Sequence, residues 1–285
     1  MVRALVIGAS GLVGGALLRA LGADAVGTFR RREVAGLRAL DARDPVALDR
    51  LVEETRPEVV YFPAAEPDVD WCETHPADAR EANVAPALLS LATTRRRGAR
   101  FVFFSSDYVF DGAAGPYGED DAPRPLSVYG TQKREVEERV LEAGETVVRT
   151  TTVFGRETPP GKNFVLRLVR ALRAGERVRV PLDQSSTPTW SDELARGAVA
   201  VAREGGVWHV AGPDVLTRVE FARLVAQVFA LSDATIVPVP TSALAQPAAR
   251  PLRGGLRTAK LARRVGRAPL PTRQALARLR QELAA

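Results

Sequence analysis

Two hydroxyls, a phenol and an ammonium fall between positions 105 and 133 of this chain. Ser105 and Ser106 end an apolar run, Phe101 to Phe104, that reads as a buried strand, which places both hydroxyls at the strand's C-terminal end. The segment Asp107-Tyr108-Val109-Phe110-Asp111-Gly112 and a polar, proline-broken loop follow. Then come Tyr129 and Lys133, where a helical pattern begins (Val128, Val136, Val140, Leu141). Residues four apart project from one helical face. A free tyrosine, with a pKa of ~10, is a poor acid–base catalyst at neutral pH. An ammonium beside it favours the phenolate and lowers that value. The positive end of a helix starting near Ser127 acts in the same direction. A serine hydroxyl from the neighbouring strand can hydrogen-bond a carbonyl. These parts suit reduction of a C=O or oxidation of a CH–OH. A lone Tyr-x-x-x-Lys also describes an ordinary solvated helix face, so its weight depends on the elements that position it.

Those elements begin with a short apolar run, residues 2–7, that breaks into Gly8-Ala9-Ser10-Gly11-Leu12-Val13-Gly14. Ala16, Leu17, Leu18 and Leu21 then recur at helical spacing. In such a strand–turn–helix, Gly8 allows the tight turn, Gly11 lets the backbone approach a pyrophosphate, and Gly14 lets helix and strand pack closely. The pyrophosphate then meets the helix N-terminus, where free N–H groups and the dipole favour anions. The spacing is G-x-x-G-x-x-G rather than G-x-G-x-x-G. A second strand, Ala25 to Phe29, ends in Arg30-Arg31-Arg32. NAD sites place an acid near here, whereas arginines suit a 2′-phosphate, so the expected cofactor is NADP(H), with Arg30 or Arg31 as the contact.

Asp44 and Pro45 read as the cap and first residue of a helix. A third strand, Val59 to Phe62, ends at Pro63-Ala64-Ala65, small residues that leave room in the crevice. Residues 68–73 read as a loop, 76–96 as one helix carrying Asn83, and Thr146 to Thr150 as a further strand. The alternation predicts an α/β fold with a doubly wound, Rossmann-like parallel sheet. Residues 1–155 are expected to form the dinucleotide-binding domain, with 184–212 returning to it. A loop at Pro159, Pro160 and Gly161 opens the rest, and 156–183 with 213–285 are expected to form a smaller C-terminal substrate-binding lobe.

The proportions, 46% hydrophobic and 26% charged, are those of a soluble globular protein. No apolar run is long enough to span a membrane. The glycines after residue 7 argue for a first strand rather than a signal peptide. One cysteine, Cys72, makes no internal disulfide, and no Cys/His cluster suggests a metal. The expectation is a cytoplasmic protein without membrane, metal or nucleic-acid partners. The net charge of +6 is uneven: residues 246–285 carry ten Lys and Arg against one acid, +9, leaving the preceding 245 residues at −3. Most of these side chains read as a solvated helical face; a few could hold an anionic substrate such as a nucleotide diphosphate.

With these residues in hand, the chain resembles the extended short-chain dehydrogenase/reductases, and within them the dTDP-4-dehydrorhamnose reductase (sugar-nucleotide reductase) family. Gly8–Gly14, Asp41–Asp44, Ala64–Glu73, Ser105–Gly112, Tyr117 to Lys133, Arg149–Gly155 and Asp183–Thr189 carry the resemblance. It implies a catalytic triad of Ser106, Tyr129 and Lys133. Tyr129 protonates the C4 oxygen of a nucleotide-bound keto sugar, Lys133 lowers the tyrosine pKa and holds the nicotinamide ribose, and Ser106 orients the carbonyl. The implied cofactor contacts are Gly8, Ser10, Gly11, Leu12, Val13, Arg30, Ala64, Ala65 and Lys133. The family implies dTDP-rhamnose biosynthesis and, as a prior, a homodimer. One departure stands out: the family's Arg-Thr-Ser-Trp-Val-Tyr-Gly segment reads Arg149-Thr150-Thr151-Thr152-Val153-Phe154-Gly155 here, so Thr152 replaces a large stacking surface. Two further readings keep the fold. One is a non-catalytic NADP-binding subunit resembling the regulatory subunit of methionine adenosyltransferase; the other is a nucleotide-sugar epimerase or dehydratase.

Overall fold

Apolar runs flanked by amphipathic helices fold here into one twisted parallel sheet with helices on both faces. The structure is a computed structural model that describes residues 4–157 and 163–284; the loop expected at Pro159, Pro160 and Gly161 lies outside the described residues. The first six strands are β1 (Ala4–Val6), β2 (Ala25–Phe29), β3 (Arg38–Ala39), β4 (Val59–Phe62), β5 (Arg100–Ser106) and β6 (Thr146–Thr150). Four short strands follow: β7 (Val153–Phe154), β8 (Val178–Pro181), β9 (Ser185–Ser186) and β10 (Thr189–Trp190). The last three are β11 (Gly206–His209), β12 (Leu216–Thr217) and β13 (Ile236–Val239).

The main sheet runs β11-β6-β5-β4-β1-β2-β3, and every neighbouring pair is parallel. Strand order reverses between β1 and β4, and in such sheets the crevice outside the carboxyl ends of the strands at this switch point is the ligand-binding place. The seventh strand, β11, returns to the sheet beside β6 with Trp208 opposite Val148 and His209 opposite Arg149.

Eleven helices are described. The first five are α1 (Leu12–Leu21), α2 (Pro45–Thr55), α3 (Val69–Thr74), α4 (Pro76–Asn83) and α5 (Ala85–Arg96). Then come α6 (Val128–Glu142), α7 (Phe164–Arg173), α8 (Ser191–Val201), α9 (Arg218–Val228), α10 (Ala259–Val265) and α11 (Thr272–Glu282). One sheet face buries Val6, Tyr61 and Phe104 against Leu17 of α1, Leu194 of α8 and Leu261 of α10. The other buries Leu5, Phe62, Phe101 and Phe103 against Leu48 of α2, Leu91 of α5 and Val136 of α6. A third core joins α7, α9 and α11 through Leu168, Phe221 and Leu276, with Trp190 and Phe154 below them.

Three local features differ from the sequence reading. The helix expected over 76–96 is two helices, α4 and α5, broken at Val84. Pro86 has no N–H to continue the ladder of α4, so a new helix starts around it instead. The segment read as a loop at 68–73 contains α3, whose first turn is capped by the Asp68 carboxylate accepting from Trp71 N at 3.1 Å. The edge strand β3 has two residues and carries no periodicity to read.

Candidate active site

The β1–α1 turn is shaped by close backbone contact. Gly8 has φ +97°, a left-handed conformation that favours glycine. A Cβ on Gly14 would lie 2.3 Å from Gly8 O and 2.6 Å from Ala9 Cα, backbone atoms that cannot step aside. Gly11 caps α1 with no side-chain hydrogen bond, and no acid stands in the first turn. The first N–H groups of the helix, where Leu12 and Val13 sit, are therefore free for an anion. A cavity of about 300 Å³ opens beside the turn, lined by Gly8, Ser10, Gly11, Arg30, Arg31, Ala64 and Ala65, while Leu12, Val13 and Gly14 are not in its lining. A dinucleotide fits this wall: glycine backbone for the pyrophosphate, small side chains at the end of β4, and cations at the end of β2.

Arg30 and Arg31 differ in setting. Burial first, then the charges of Arg31 and Arg43, lower the pKa of Arg30. Arg31 extends into solvent, 75% exposed, with Glu66 3.9 Å away. Asp41 also lines the cavity, and an acid there would repel a phosphate. Its carboxylate is engaged by Arg43, whose Nε donates at 2.9 Å, and this hydrogen bond holds Asp41 down to about 2. Arg43 was not singled out from the sequence, although the segment Asp41–Asp44 was.

Ser106, Tyr129 and Lys133 do not line that cavity. They stand one strand further along, because β4 and β5 are neighbours with Phe62 opposite Phe103. Of the two serines, Ser105 is buried with no partner for its hydroxyl among the described residues. Ser106 is half-buried, and its hydroxyl donates to Asp107 Oδ1 at 3.2 Å and accepts from Tyr108 N at 3.3 Å. Helix α6 starts where expected, with the Ser127 hydroxyl accepting from Gly130 N at 3.2 Å. Gly130 itself is required, since a Cβ there would stand 2.2 Å from Tyr108 O. The close approach brings the Tyr129 ring edge-on to Tyr108 with centroids 5.8 Å apart.

The electrostatics of the pair reverse the sequence reading. Lys133 turns its ammonium to Phe104 O, donating at 2.9 Å, and lies 5.6 Å from the centre of the Tyr129 ring. Burial pushes the Tyr129 phenol above its ordinary value, helped by Tyr108, Cys72 and Asp107. Burial also draws Lys133 down to about 8, against the pull of Glu137. Desolvation opposes charge on both groups, so the phenol is protonated at neutral pH and the lysine is still mostly an ammonium.

A belt of long-range contacts closes the far side. The buried Asp107 carboxylate accepts from Thr151 Oγ1 at 2.6 Å and from Gly255 N at 3.2 Å, and burial raises its pKa. The segment carrying Gly255 is anchored at its other end by Arg250, which donates to Asp70 on α3 at 2.7 Å. Arg250 and Arg218 both face Tyr108 and oppose the upward push of burial on it. Among the described residues the Arg218 guanidinium makes no hydrogen bond or ion pair; it lies 5.6 Å from the Phe164 ring centre. Of the basic residues in 246–285, Arg250 is brought to this face, and Arg218 joins it from a helix start that the charge count had passed over. Thr152 adopts φ +43° and donates to Ser186 Oγ at 2.9 Å. A β-branched residue is strained there. Asn83 accepts from Glu66 N at 2.7 Å and donates to Gln132 Oε1 at 3.3 Å, tying the cavity wall to α6.

No cluster of metal ligands and no helix long and apolar enough to cross a membrane occurs among the described residues. Known proteins resemble this chain in sequence and fold. A dTDP-4-dehydrorhamnose reductase from Burkholderia thailandensis is 35% identical, with 93% of each chain covered. Methionine adenosyltransferase 2 subunit beta from Danio rerio is 29% identical over 91% of this chain and 84% of its own. A crystal structure of dTDP-4-dehydrorhamnose reductase from Bacillus anthracis in complex with NADP superposes with a TM-score of 0.88 at 26% identity, covering 98% of this chain and 99% of that one. The family described as the RmlD substrate binding domain matches residues 2–285, and the chain belongs to that family.

Proposed function

We propose that this chain is an NADPH-dependent reductase of a nucleotide-activated 4-keto-6-deoxy sugar, with Tyr129 as proton donor. The observation that carries this reading is a phenol kept protonated by burial, on one helical face with an ammonium, next to a cavity fitted to a dinucleotide. Gly8, Ser10, Gly11, Leu12, Val13 and Gly14 hold the pyrophosphate, Ala64 and Ala65 make room beside it, and Arg30 with Arg31 meets the 2′-phosphate. When bound, the reduced dinucleotide supplies a hydride. Ser106 then holds the carbonyl oxygen, Tyr129 delivers its proton to that oxygen, and the Lys133 ammonium stabilises the phenolate left behind. Arg218 and Arg250 take the charged diphosphate of the substrate. Residues 156–183 and 213–285 supply most of the substrate lobe, while 184–212 complete the sheet. The 35% identical relative is named a dTDP-4-dehydrorhamnose reductase, which supports a dTDP sugar and a place in dTDP-rhamnose biosynthesis. A cytoplasmic homodimer completes the proposal.

Tyr129→Phe removes the proton and little volume. NADPH consumption on dTDP-linked keto sugars should fall by roughly 10²- to 10⁴-fold, while stabilisation by NADPH in a thermal-shift assay stays as in the parent. Unchanged turnover would remove Tyr129 from the mechanism. The likeness to a methionine adenosyltransferase subunit favours a second, non-catalytic reading. A stoichiometric enzyme partner on purification, with no reductase activity on any nucleotide sugar, would support that one instead.

A further inference from the structure

Helix α6 carries three ionisable side chains in one line, Tyr129, Lys133 and Glu137, each one turn below the last. Glu137 is fully buried and accepts both Nε and Nη2 of Arg149, at 2.8 and 2.6 Å. Arg149 is itself 1% exposed, and it lies on β6 beside Ser105 of β5. A buried ion pair of this kind gains little stability over apolar side chains of the same volume, because both charges lose their water. Its use must therefore be sought in what its charge acts upon. The groups facing Lys133 are few. From β5 come the Phe104 carbonyl and the Phe103 ring, 4.8 Å from the ammonium to the ring centre. From α3 comes the thiol of Cys72, which burial pushes up and so keeps neutral. From α6 itself come the Tyr129 phenol, also neutral, and Glu137. Glu137 is thus the anion that acts on Lys133, and its own neighbours are Arg149 across the sheet and Arg134 at 3.6 Å on the helix.

We propose that Glu137 is a positioning residue: anchored by Arg149, its carboxylate keeps the Lys133 ammonium charged and aimed at the Phe104 carbonyl, beside Tyr129. The proposal rests on the reading that Tyr129 and Lys133 carry out the proton transfer, and it adds the support without which the ammonium would lose its proton at working pH. The ammonium titrates at about 8 with Glu137 in place. Glu137 follows Lys133 by one helical turn, and an opposite charge within about 4–6 Å is worth roughly one to three pH units, enough to decide whether Lys133 is charged at neutrality.

The chain has three lysines, Lys133, Lys162 and Lys260, so Lys133 can be titrated directly in the intact protein. Carbon-13 labelling at the lysine Cε gives three NMR signals, assigned with Lys162→Arg and Lys260→Arg. In Glu137→Gln the Lys133 midpoint should fall by about one pH unit or more; in Glu137→Asp, which keeps the charge, it should move much less. A folded Glu137→Gln protein in which Lys133 titrates where the parent does overturns the proposal. If that variant fails to fold with Arg149 left unpaired, E137Q/R149M removes the orphaned guanidinium, and a downward shift is expected of it too, smaller because a cation leaves with the anion, an unmoved midpoint again overturning the proposal. With turnover in hand, Glu137→Gln should lower kcat and move its alkaline limb to lower pH, leaving KM for the nucleotide sugar unchanged. A lysine shift in a parent protein that reduces no sugar nucleotide would sink the catalytic reading alone, whereas turnover with an unmoved lysine would sink this one alone.

Discussion

The two halves of the site are built on opposite plans. The nucleotide half is largely local: seven residues, Gly8 to Gly14, make the turn, and Gly14 packs on the backbone of Gly8 and Ala9 within that stretch. The catalytic half is assembled from afar. Asp107 holds Gly255 from 148 residues away, and Arg250 reaches Asp70 across 180. Lys133 bonds a carbonyl on β5, while Glu137 is clamped from β6. A local plan tolerates change elsewhere but has no slack within itself. A distributed plan places its polar groups in the interior, so it depends on every partner being present and on the protonation state of each.

The largest effect should come from removing slack where none exists. Gly14→Ala sets a methyl group against Gly8 O and the Ala9 Cα, and relief requires α1 to move off β1. Because α1 also packs on α8, the cost should reach about 3 kcal/mol in urea unfolding, together with loss of NADPH-induced stabilisation. Lys133 and Tyr129 should keep their contacts. A Gly14→Ala protein of parental stability that still binds NADPH would show that the turn is looser than its backbone distances imply.

The distributed half should show a pH dependence that the glycine turn lacks. His209 on β11 is completely buried opposite Arg149, with the backbone of Arg257 and Tyr117 beside its ring but out of good hydrogen-bond geometry. Burial first, then the Arg149 charge, hold it down to about 3, against 6.5 for an ordinary histidine. The sign follows from linkage. The folded state keeps this ring neutral, while the unfolded chain takes up a proton below about 6.5, so stability is lost as pH falls through that value towards 3. Between pH 7 and pH 5 the loss should be about 2 kcal/mol. His209→Phe, which can meet the Phe110 ring edge-to-face as the imidazole ring does, should flatten this stretch of the stability profile. An equally steep profile in the variant would shift the acid sensitivity to another group.

This contrast also explains what could be read from the sequence. The glycine turn, the Asp44 and Ser127 caps and the shared face of Tyr129 and Lys133 are consequences of spacing, and they are visible before folding. Spacing also placed Ser106 at the end of β5 but left it level with Ser105; only burial separates the two. The direction in which Tyr129 is shifted was misjudged for the same reason, because a neighbouring charge is legible in a sequence and desolvation is not. Asp107, Arg218 and the Glu137–Arg149 pair owe their roles to partners on other strands and loops. A list of residue types gives no sign of which ones will meet. The break at Val84 is a milder case: Pro86 signalled it, and the good helix formers on either side, Ala77 to Ala82 and Ala87 to Arg96, concealed it.

The smallest effect discriminates within the nucleotide half, between its backbone and its side chains. If the glycine turn carries the pyrophosphate and the arginines add only the 2′-phosphate, their removal should leave NADH binding untouched. Arg30 is partly buried and close to Arg43 and the engaged Asp41, so its charge is less screened by solvent. Arg30→Ala should weaken NADPH binding by about tenfold, as loss of a charge-assisted bond does. Arg31 is exposed and faces Glu66 across 3.9 Å, so dissolved salt screens its charge. Its removal should cost about twofold at low ionic strength and almost nothing at 0.15 M salt. Titrating NADPH and NADH against both variants at two salt concentrations measures all of this at once. A larger loss at Arg31 than at Arg30 would exchange their roles. An equal loss of NADH and NADPH affinity in Arg30→Ala would mean that this arginine serves the pyrophosphate, and the division between backbone and side-chain recognition would fall with it.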